Sequence, residues 1–411
     1  MFYGWWIVIA CFLISLYVSS IIFFGFTAFF EPIVKEFGWS YTQVSFATSL
    51  RGLEMGIFAP FLGFLVDRWG SRKLMFFGVI IVGFGLILLS LTQSLWMFYL
   101  SFILLSIGAG GSTSIVTMSV VANWFDKNSG KAFGLMASGF GASGLLIPVI
   151  VWLIEVYHWR FSLVLLGLMM WVLGLPLCFI IRDTPGKYGL LPDGATEKSR
   201  EGERQPVEPP MSFSKALRHK SFLYLNLSEF IRLMIVTSIV THIMPYLSSI
   251  GISRRAAGLV AAGIPLISIL GRLGFGWLSD IYPKKYIMAL NFFLMGIGVL
   301  AFAYVQSLWV MVIFLILFPP NFGALTVLRV SVLRENFGLD SFGRLLGILM
   351  GTASIGGIIG PPLAGWVFDT WQSYYYIWIA FAGTVGLAIV MVLRIESPKK
   401  NEVHDKLKAQ S

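Results

Sequence analysis

The sequence predicts an all-α integral membrane protein with twelve transmembrane helices, arranged as two parallel-repeat bundles of six. Three observations support this prediction. Hydrophobic residues make up 57% of the 411-residue chain and charged residues only 12%, about half the charged fraction typical of soluble domains. The apolar residues form stretches long enough to cross a bilayer, which takes about 20 residues per helix. The two halves of the chain also repeat the same marks at one fixed offset.

Each half contains six apolar stretches. Backbone polar groups in lipid must be hydrogen-bonded within their own segment, so each stretch predicts a helix. In the first half the stretches cover residues 5–30, 41–66, 74–93, 96–121, 131–155 and 160–181; in the second half they cover 221–250, 255–280, 286–305, 308–330, 344–368 and 374–394.

These stretches divide the chain into four segments. Residues 1–181 form the N-terminal six-helix bundle, and 221–394 form the C-terminal six-helix bundle. Between them, 182–220 is polar and rich in proline, glycine and mixed charge, which predicts a flexible cytoplasmic linker. Residues 395–411 form a polar cytoplasmic tail, which we expect to fray.

The repeat has a constant offset of 213 positions. Gly63 and Asp67 recur as Gly276 and Asp280. Because six spans return the chain to its starting side, the two copies share one orientation, and a duplicated helical unit of this kind is typical of solute carriers. Gln93-Ser94-Leu95-Trp96 likewise recurs as Gln306-Ser307-Leu308-Trp309, and Gly130, Gly134, Gly144 and Pro148 recur as Gly343, Gly347, Gly357 and Pro361.

The net charge of +10 indicates topology and not a nucleic-acid partner. With both termini in the cytoplasm, inner loops and tails hold 23 of the 30 Lys and Arg residues. This asymmetry is the positive-inside pattern, and it predicts cytoplasmic N- and C-termini. Cys11 and Cys178 lie in separate apolar helices and are expected to be small core residues. The outer loops hold Lys35, Arg160, Arg254 and Arg255, and the helices hold Arg51, Arg232 and Arg272.

Several local motifs resemble one protein superfamily. The loop from Gly63 to Lys73, Gly-Phe-Leu-Val-Asp-Arg-Trp-Gly-Ser-Arg-Lys, resembles the loop between spans two and three of the major facilitator superfamily. Tyr3-Gly4-Trp5-Trp6, Glu36-Phe37-Gly38-Trp39-Ser40, Trp124-Phe125 and Arg272 resemble the monocarboxylate-transporter and oxalate/formate-antiporter branch. The resemblance covers residues 3–394 and implies the major facilitator fold.

The repeated loops are candidate gates. An acid at the inner end of a span can pair with basic groups or with a neighbouring helix end and hold the inner face shut, and the resemblance implies such a role. The alternative is that these loops are basic only because inner loops are. The candidate gating residues are Gly63, Asp67, Arg68, Arg72, Gly276, Asp280 and Lys284.

Ionisable groups inside the membrane are costly and indicate function. Arg51 and Glu54 are three residues apart on one helix face, as are Glu229 and Arg232, so each pair can neutralise itself. Arg272 has no acid within a helical turn. It therefore requires a counter-charge, either from an interhelical pair with Glu54 or Glu229 or from an anionic solute.

The resemblance implies that Arg272, in span eight, binds the substrate carboxylate, and a guanidinium suits a carboxylate because two parallel N–H bonds fit its two oxygens. Two positions depart from relatives. Ser268 stands where animal monocarboxylate carriers have a proton-coupling aspartate, and Met350 stands where the oxalate antiporter has a lysine. We therefore expect one carboxylate and not a dianion, and the usual proton relay is in doubt.

Other polar residues are weaker candidates. His242 could carry a coupled proton or bind solute, or be an ordinary hydrogen-bonded residue; Glu229 and Glu54 are rival proton carriers. Asn321 follows Pro319-Pro320 and could face the solute or only accompany a kink. Substrate-lining candidates that could equally be packing residues are Tyr17, Thr113 and Thr117.

We find no catalytic set, metal-ligand spacing or nucleotide-binding loop in the sequence, and we expect no cofactor and no enzymatic activity. We predict a secondary active transporter of small organic monocarboxylates that works by alternating access, as a proton symporter or an anion exchanger. The alternatives are a proton-coupled exporter of amphipathic, drug-like compounds and a non-transporting anion sensor. We expect a monomer in the lipid bilayer of the cytoplasmic (inner) membrane.

Overall fold

The computed structural model describes residues 2–52, 59–125, 128–192, 213–305, 307–337 and 342–396. All regular secondary structure in these ranges is helical. The N-terminal half contains α1 (Tyr3–Val18), a π-helical segment (Ser19–Phe24), α2 (Thr27–Phe37), α3 (Tyr41–Ser49), α4 (Ala59–Trp69), α5 (Ser71–Ser90), α6 (Leu95–Ser112), α7 (Ser114–Trp124), α8 (Ser129–Ala142), a 3-10 turn (Ser143–Leu146) and α9 (Ile147–Ile180).

The C-terminal half follows after a short helix, α10. Its long helices pack mainly on one another, as expected of a second bundle. The bounds are α10 (Phe213–Arg218), α11 (Lys220–Ser249), α12 (Arg254–Ile281), α13 (Lys284–Ala303), α14 (Leu308–Phe337), α15 (Phe342–Trp371) and α16 (Tyr375–Leu393).

The predicted all-α membrane fold is confirmed. Within the described residues, ten helices are long and apolar enough to cross a membrane. Lys131–Ile180 contains two predicted spans, which meet at His158, where the backbone φ of 68° breaks the helix. The second predicted span corresponds to α3 and α4. The predicted breaks at the proline pairs of α14 and α15 do not interrupt these helices.

The first residues after α9 are held against the N-terminal half. The Asp183 carboxylate accepts a hydrogen bond from the backbone N–H of Arg72 at 2.8 Å, and the indole of Trp124 donates to the carbonyl of Arg182 at 2.8 Å. The Arg182 guanidinium lies 4.1 Å from the centre of the Tyr3 ring. The start of the predicted linker is therefore part of the bundle. Residues 193–212 of the linker, 397–411 of the tail and Glu54 lie outside the described residues.

The two halves pack closely at one end of the molecule. We call the end where α1 begins and α9 ends the inner end, following the predicted orientation, and the opposite end the outer end. In a first seam, α8 and α9 pack on α12. A side chain at Gly144 would collide with the carbonyl of Ala262, and one at Gly141 would collide with Ile269. Small residues thus allow the close approach, as the glycines of span five predict.

A second seam joins α3 to α15 in the same way. Gly365 packs on the backbone of Tyr41, and Gly52 packs on the side chain of Ile358. Both seams open towards the inner end. A β-carbon at Gly134 or at Gly347 would have no neighbouring atom within 4 Å in the described part of the chain. These two glycines are repeat partners, so the two halves separate symmetrically and leave a crevice that widens towards the inner end.

Candidate functional site

Arg272 lies at the closed end of this crevice. It follows Gly271, which packs so tightly on the carbonyl of Pro320 that no side chain fits there. The Arg272 Nη1 donates to the carbonyl of Ala137 in α8 at 3.3 Å, and the guanidinium lies 5.6 Å from the centre of the Phe140 ring. Arg272 therefore touches both halves at the last level where the first seam is closed.

The Arg272 guanidinium is largely buried and incompletely bonded. Its Nε is inaccessible to solvent and has no hydrogen-bond partner. Among the described residues, no carboxylate lies within the 4.0 Å of an ion pair with Arg272. The interhelical pair with Glu229 that the sequence left open does not form, because other residues occupy that carboxylate. The rival partner Glu54 lies in the undescribed range 53–58.

Glu229 pairs with two arginines at once. Its carboxylate is fully buried, and Oε2 accepts a hydrogen bond from Arg232 Nε at 2.9 Å and contacts Arg232 Nη2 at 2.8 Å. The same oxygen accepts a hydrogen bond from Arg329 Nη1 at 3.0 Å. The predicted pair of Glu229 with Arg232 is thus present, but it is part of a three-residue network with a formal charge of +1.

Arg329 is the functional candidate that sequence reasoning missed. The charge count assigned it to the inner loops, and this assignment is wrong: Arg329 lies within α14, with only 14% of its side chain exposed. Its neighbours Leu328 and Val332 are buried. The apolar residues that continue on both sides of Arg329 were the available signal that the buried helix extends past it.

The site is cationic overall. Arg232 and Arg329 lie close enough to Arg272 for their charges to repel it. Three guanidinium groups and the single carboxylate of Glu229 give this group of described residues a formal charge of +2. Uncompensated charge is costly in a low-dielectric interior, so the arrangement favours an anion in the crevice and disfavours a cation.

Arg51 lies towards the outer end and is bonded to backbone carbonyls. Its Nε donates to the carbonyl of Thr48 at 2.9 Å and its Nη1 to those of Ile22 and Phe23, where the π-helical segment ends. Its Nη2 reaches the Thr241 hydroxyl of the other half at 3.5 Å. These contacts indicate a structural role for Arg51 in joining the halves at the outer end.

His242 lies in the second seam and is fully buried. Its Nε2 is 2.9 Å from the Pro361 carbonyl and 2.9 Å from the Ser45 hydroxyl, and its Nδ1 is 2.9 Å from the Tyr374 hydroxyl. Since a carbonyl only accepts, Nε2 carries the proton and Nδ1 accepts from Tyr374. Protein groups therefore occupy both ring nitrogens while the outer end is closed.

Asp369 joins the halves beside His242. Its carboxylate accepts hydrogen bonds from the backbone N–H of Tyr41 at 2.9 Å and of Thr42 at 2.8 Å, and from the Thr42 hydroxyl at 2.5 Å. An acid from α15 thereby caps the start of α3 in the other half. The sequence analysis did not identify Asp369, because nothing local marks an acid whose partners lie more than 300 positions away.

The other candidates divide between cavity and packing positions. Asn321 Nδ2 donates to the carbonyl of Leu317 at 2.5 Å, and its buried Oδ1 has no partner among the described residues. The Tyr17 hydroxyl donates to the carbonyl of Leu166 at 2.8 Å within the same half, which matches the packing alternative. Thr113 donates to the carbonyl of Ala109 at 2.8 Å, and Thr117 is buried.

The candidate gating residues lie at the inner ends of α4, α5, α12 and α13. Arg68 is exposed, and the Arg72 guanidinium lies 5.8 Å from the Phe179 ring centre. Lys284 forms an ion pair with Glu335 at 3.0 Å. These contacts join helices of the same half. The side chains of Gly63, Asp67, Gly276 and Asp280 lie outside the described part, so the gating role of these loops stays a prediction.

Comparison with known proteins agrees with this architecture. The family model described as Major Facilitator Superfamily matches residues 8–250 and again 225–410. Monocarboxylate transporter 12 of Rattus norvegicus is 27% identical over 402 residues, covering 90% of this chain and 81% of that protein. Monocarboxylate transporter 13 of the same organism is 26% identical over 382 residues, covering 90% of this chain and 84% of that protein. These relatives are named as transporters and not as enzymes.

The fold is also similar to solved structures. A bacterial homolog of the human lysosomal transporter Spinster, in an inward-facing and occupied conformation, superposes with a TM-score of 0.74 at 16% sequence identity. The similarity covers 95% of this chain and 96% of that one. The unoccupied, inward-facing form of that protein gives a TM-score of 0.68, also at 16% identity, over 96% and 95% of the two chains. At this identity the similarity concerns the fold.

Proposed function

Since this chain belongs to the major facilitator superfamily, we propose that it is a secondary active transporter of small organic monocarboxylates and that Arg272 binds the substrate carboxylate. One observation carries the proposal. Arg272 is a largely buried guanidinium at the closed end of a crevice, with a buried Nε that has no partner and no acid within ion-pair distance among the described residues. A substrate carboxylate supplies the missing acceptor and the missing charge.

The position of Arg272 also suits alternating access. It bonds to Ala137 of the opposite half at the level where the first seam begins to open. A carboxylate bound there would contact residues of both halves, so its binding energy would change as the halves rock about it. Such a differential contact is what couples a ligand to a conformational equilibrium.

We propose that coupling occurs by anion exchange. The groups that could carry a proton are engaged: the Glu229 carboxylate by two arginines, and both His242 nitrogens by protein groups. Ser268, at the position of the relatives' aspartate, only donates to the carbonyl of Pro265 at 2.7 Å. An empty site with a formal charge of +2 would also be costly to reorient through a closed, desolvated state. Bound anions lower this cost in both directions.

The same charge disfavours the rival functions. An exporter of cationic, drug-like compounds would need an unpaired acid, whereas the described site contains three arginines and one fully engaged acid. The sensor hypothesis predicts binding without flux. Both alternatives are separated from carboxylate transport by a direct uptake assay.

The test is reconstitution into proteoliposomes with a panel of labelled mono- and dicarboxylates. Uptake into vesicles preloaded with the same carboxylate is compared with uptake into empty vesicles under an imposed proton gradient. We expect rapid uptake only after preloading. Uptake driven by the proton gradient alone would replace exchange with symport, and the absence of carboxylate flux under both conditions would refute the proposed function.

A further inference from the structure

The second arginine that reaches the crevice is Arg329. It is partly exposed, whereas Arg232 is 1% exposed and Glu229 is fully buried. We propose that Arg329 forms a second carboxylate subsite beside Arg272, so that the occupied site holds two carboxylate groups at once. This inference rests on the proposed function, because it names a further binding group of the same crevice. It also revises the expectation of a single carboxylate that the sequence supports.

The first argument is the charge of the site. Arg232, Arg272 and Arg329 contribute three positive charges and Glu229 one negative charge, all within the described residues. One substrate carboxylate at Arg272 leaves a residual charge of +1 in the bilayer interior. A second carboxylate brings the formal charge to zero, which is the state that a low-dielectric environment favours.

The second argument is the supply of hydrogen-bond donors. In the described part of the site, the buried Nε atoms of Arg272 and Arg329 and the buried Nη1 of Arg232 have no acceptor. Buried donors are normally paired. Only one of them is explained by a carboxylate at Arg272, so the donors on the Arg329 side need an acceptor of their own.

The geometry places the two arginines one behind the other. Close contacts of Gly271 with Pro320 and of Gly323 with Ser268 fix where α12 and α14 cross. Arg272 is one residue beyond this crossing and Arg329 is six beyond it, which separates their α-carbons by roughly 8 Å along the helix axes at 1.5 Å per residue. Arg329 is therefore nearer the inner end, on the route that an anion takes to Arg272.

Glu229 limits where the second carboxylate binds. Its Oε1 has no partner within the described residues and would repel an approaching anion. Arg232 lies against Glu229 and is inaccessible, so Arg232 holds Glu229 in place while Arg329 contacts the ligand. A second carboxylate has two sources: the far end of one dicarboxylate, or a second monocarboxylate ion.

Equilibrium binding to the purified full-length protein distinguishes these sources. The probes are labelled monocarboxylates from acetate to hexanoate and the dicarboxylates from oxalate to adipate. If one dicarboxylate fills both subsites, it binds about tenfold or more tightly than the monocarboxylate of equal length, and Arg329→Gln removes this advantage. If two ions bind, the stoichiometry is two monocarboxylates per protein in the wild type and one in Arg329→Gln.

The control is Arg334→Gln, which removes an exposed arginine of the same helix and should leave both measurements unchanged. Arg329→Lys keeps the charge and should retain part of the effect. If Arg329→Gln does not fold, the wild-type stoichiometry and the chain-length comparison decide alone. One monocarboxylate per wild-type protein with no preference for any dicarboxylate overturns the second subsite. Complete absence of carboxylate binding by the wild type overturns the proposed function, and the second subsite with it.

Discussion

The Asp369 carboxylate caps Thr42 across the two halves of the molecule: one oxygen accepts both the Thr42 backbone N–H at 2.8 Å and the Thr42 hydroxyl at 2.5 Å. Thr42 lies in the first turn of α3, where unpaired backbone N–H groups make a helix attract negative charge. This contact can exist only while the outer end is closed. Asp369 therefore stabilises the conformation seen here relative to one that opens outward.

The first prediction is that Asp369→Asn shifts the equilibrium towards an outward-open state. Loss of the charge at a helix start costs about 1 kcal/mol, or about fivefold in the ratio of the two states. Spin labels at Trp96 and Trp309, which are both exposed, report the distance between the outer loops of the halves. The background replaces Cys11 and Cys178, both free.

We expect the Trp96–Trp309 distance distribution to gain a longer component in Asp369→Asn. The matched control is Glu335→Gln, which breaks an ion pair within the C-terminal half and should leave the distribution unchanged. An unaltered distribution in Asp369→Asn would show that this cap does not bias the outer closure.

The second prediction concerns His242 and its three partners. Gln can donate to Pro361 and accept from Tyr374, so His242→Gln should exchange carboxylate at near wild-type rate with an unchanged pH profile. His242→Ala leaves buried polar groups unpaired, at a cost of about 1–3 kcal/mol, and should weaken the outer closure. A flattened pH profile in His242→Gln would instead make His242 the proton carrier that its imidazole suggests.

The third prediction concerns pH and the break at His158. Burial raises the pKa of Glu36, but hydrogen bonds from Arg160 and Trp159 outweigh burial, and the net pKa lies below its usual value. A lowered pKa in the folded state means that the stabilisation is present above the unfolded pKa of about 4.3 and is lost as pH falls through the folded pKa.

Glu36→Gln should therefore lower the melting temperature at neutral pH, and the difference from wild type should shrink as pH falls below that of an ordinary glutamate. Thermal unfolding in detergent across this pH range measures it. A difference that stays constant with pH would mean that Glu36 acts through packing and not through its charge.

The fourth prediction is a counterpart of the Asp369 cap at the inner end. If Asp67 holds the inner face shut, Asp67→Asn should raise the inward-open population, opposite to the effect of Asp369→Asn. Spin labels on the inner ends of α5 and α13 would report it, and transport should fall because the carrier returns more slowly. A decrease in the inward-open population would exclude the gating role.

Much of the architecture follows from local sequence, because bilayer thickness and backbone hydrogen bonding leave few alternatives for a 20-residue apolar stretch. The repeat also identified Gly134 and Gly347 as equivalent, and both lie where the seams open. Tertiary partners were not predictable in the same way. Asp369 looks like an ordinary acid at the end of a span, and its role depends on a helix start 328 positions away.

The candidate site was predictable in part. Arg272 was identified from its isolation among apolar residues, and the described structure assigns it no acid. Arg329 was missed because a basic residue near the inner end of a span fits the positive-inside pattern. Tyr17 was proposed as a lining residue because a hydroxyl in a helix carries no mark of direction; its bond to Leu166 within the same half indicates packing.

The most direct test of the account is carboxylate counterflow by Arg272 variants in proteoliposomes, with Arg334→Gln as the matched control. Loss of a bidentate guanidinium contact costs about 3 kcal/mol, so Arg272→Ala should reduce counterflow about a hundredfold or more while the protein still inserts and folds. Arg272→Lys should be impaired, because an ammonium cannot supply two parallel N–H bonds. Counterflow by Arg272→Ala at the wild-type rate would contradict the assignment of Arg272 as the carboxylate ligand.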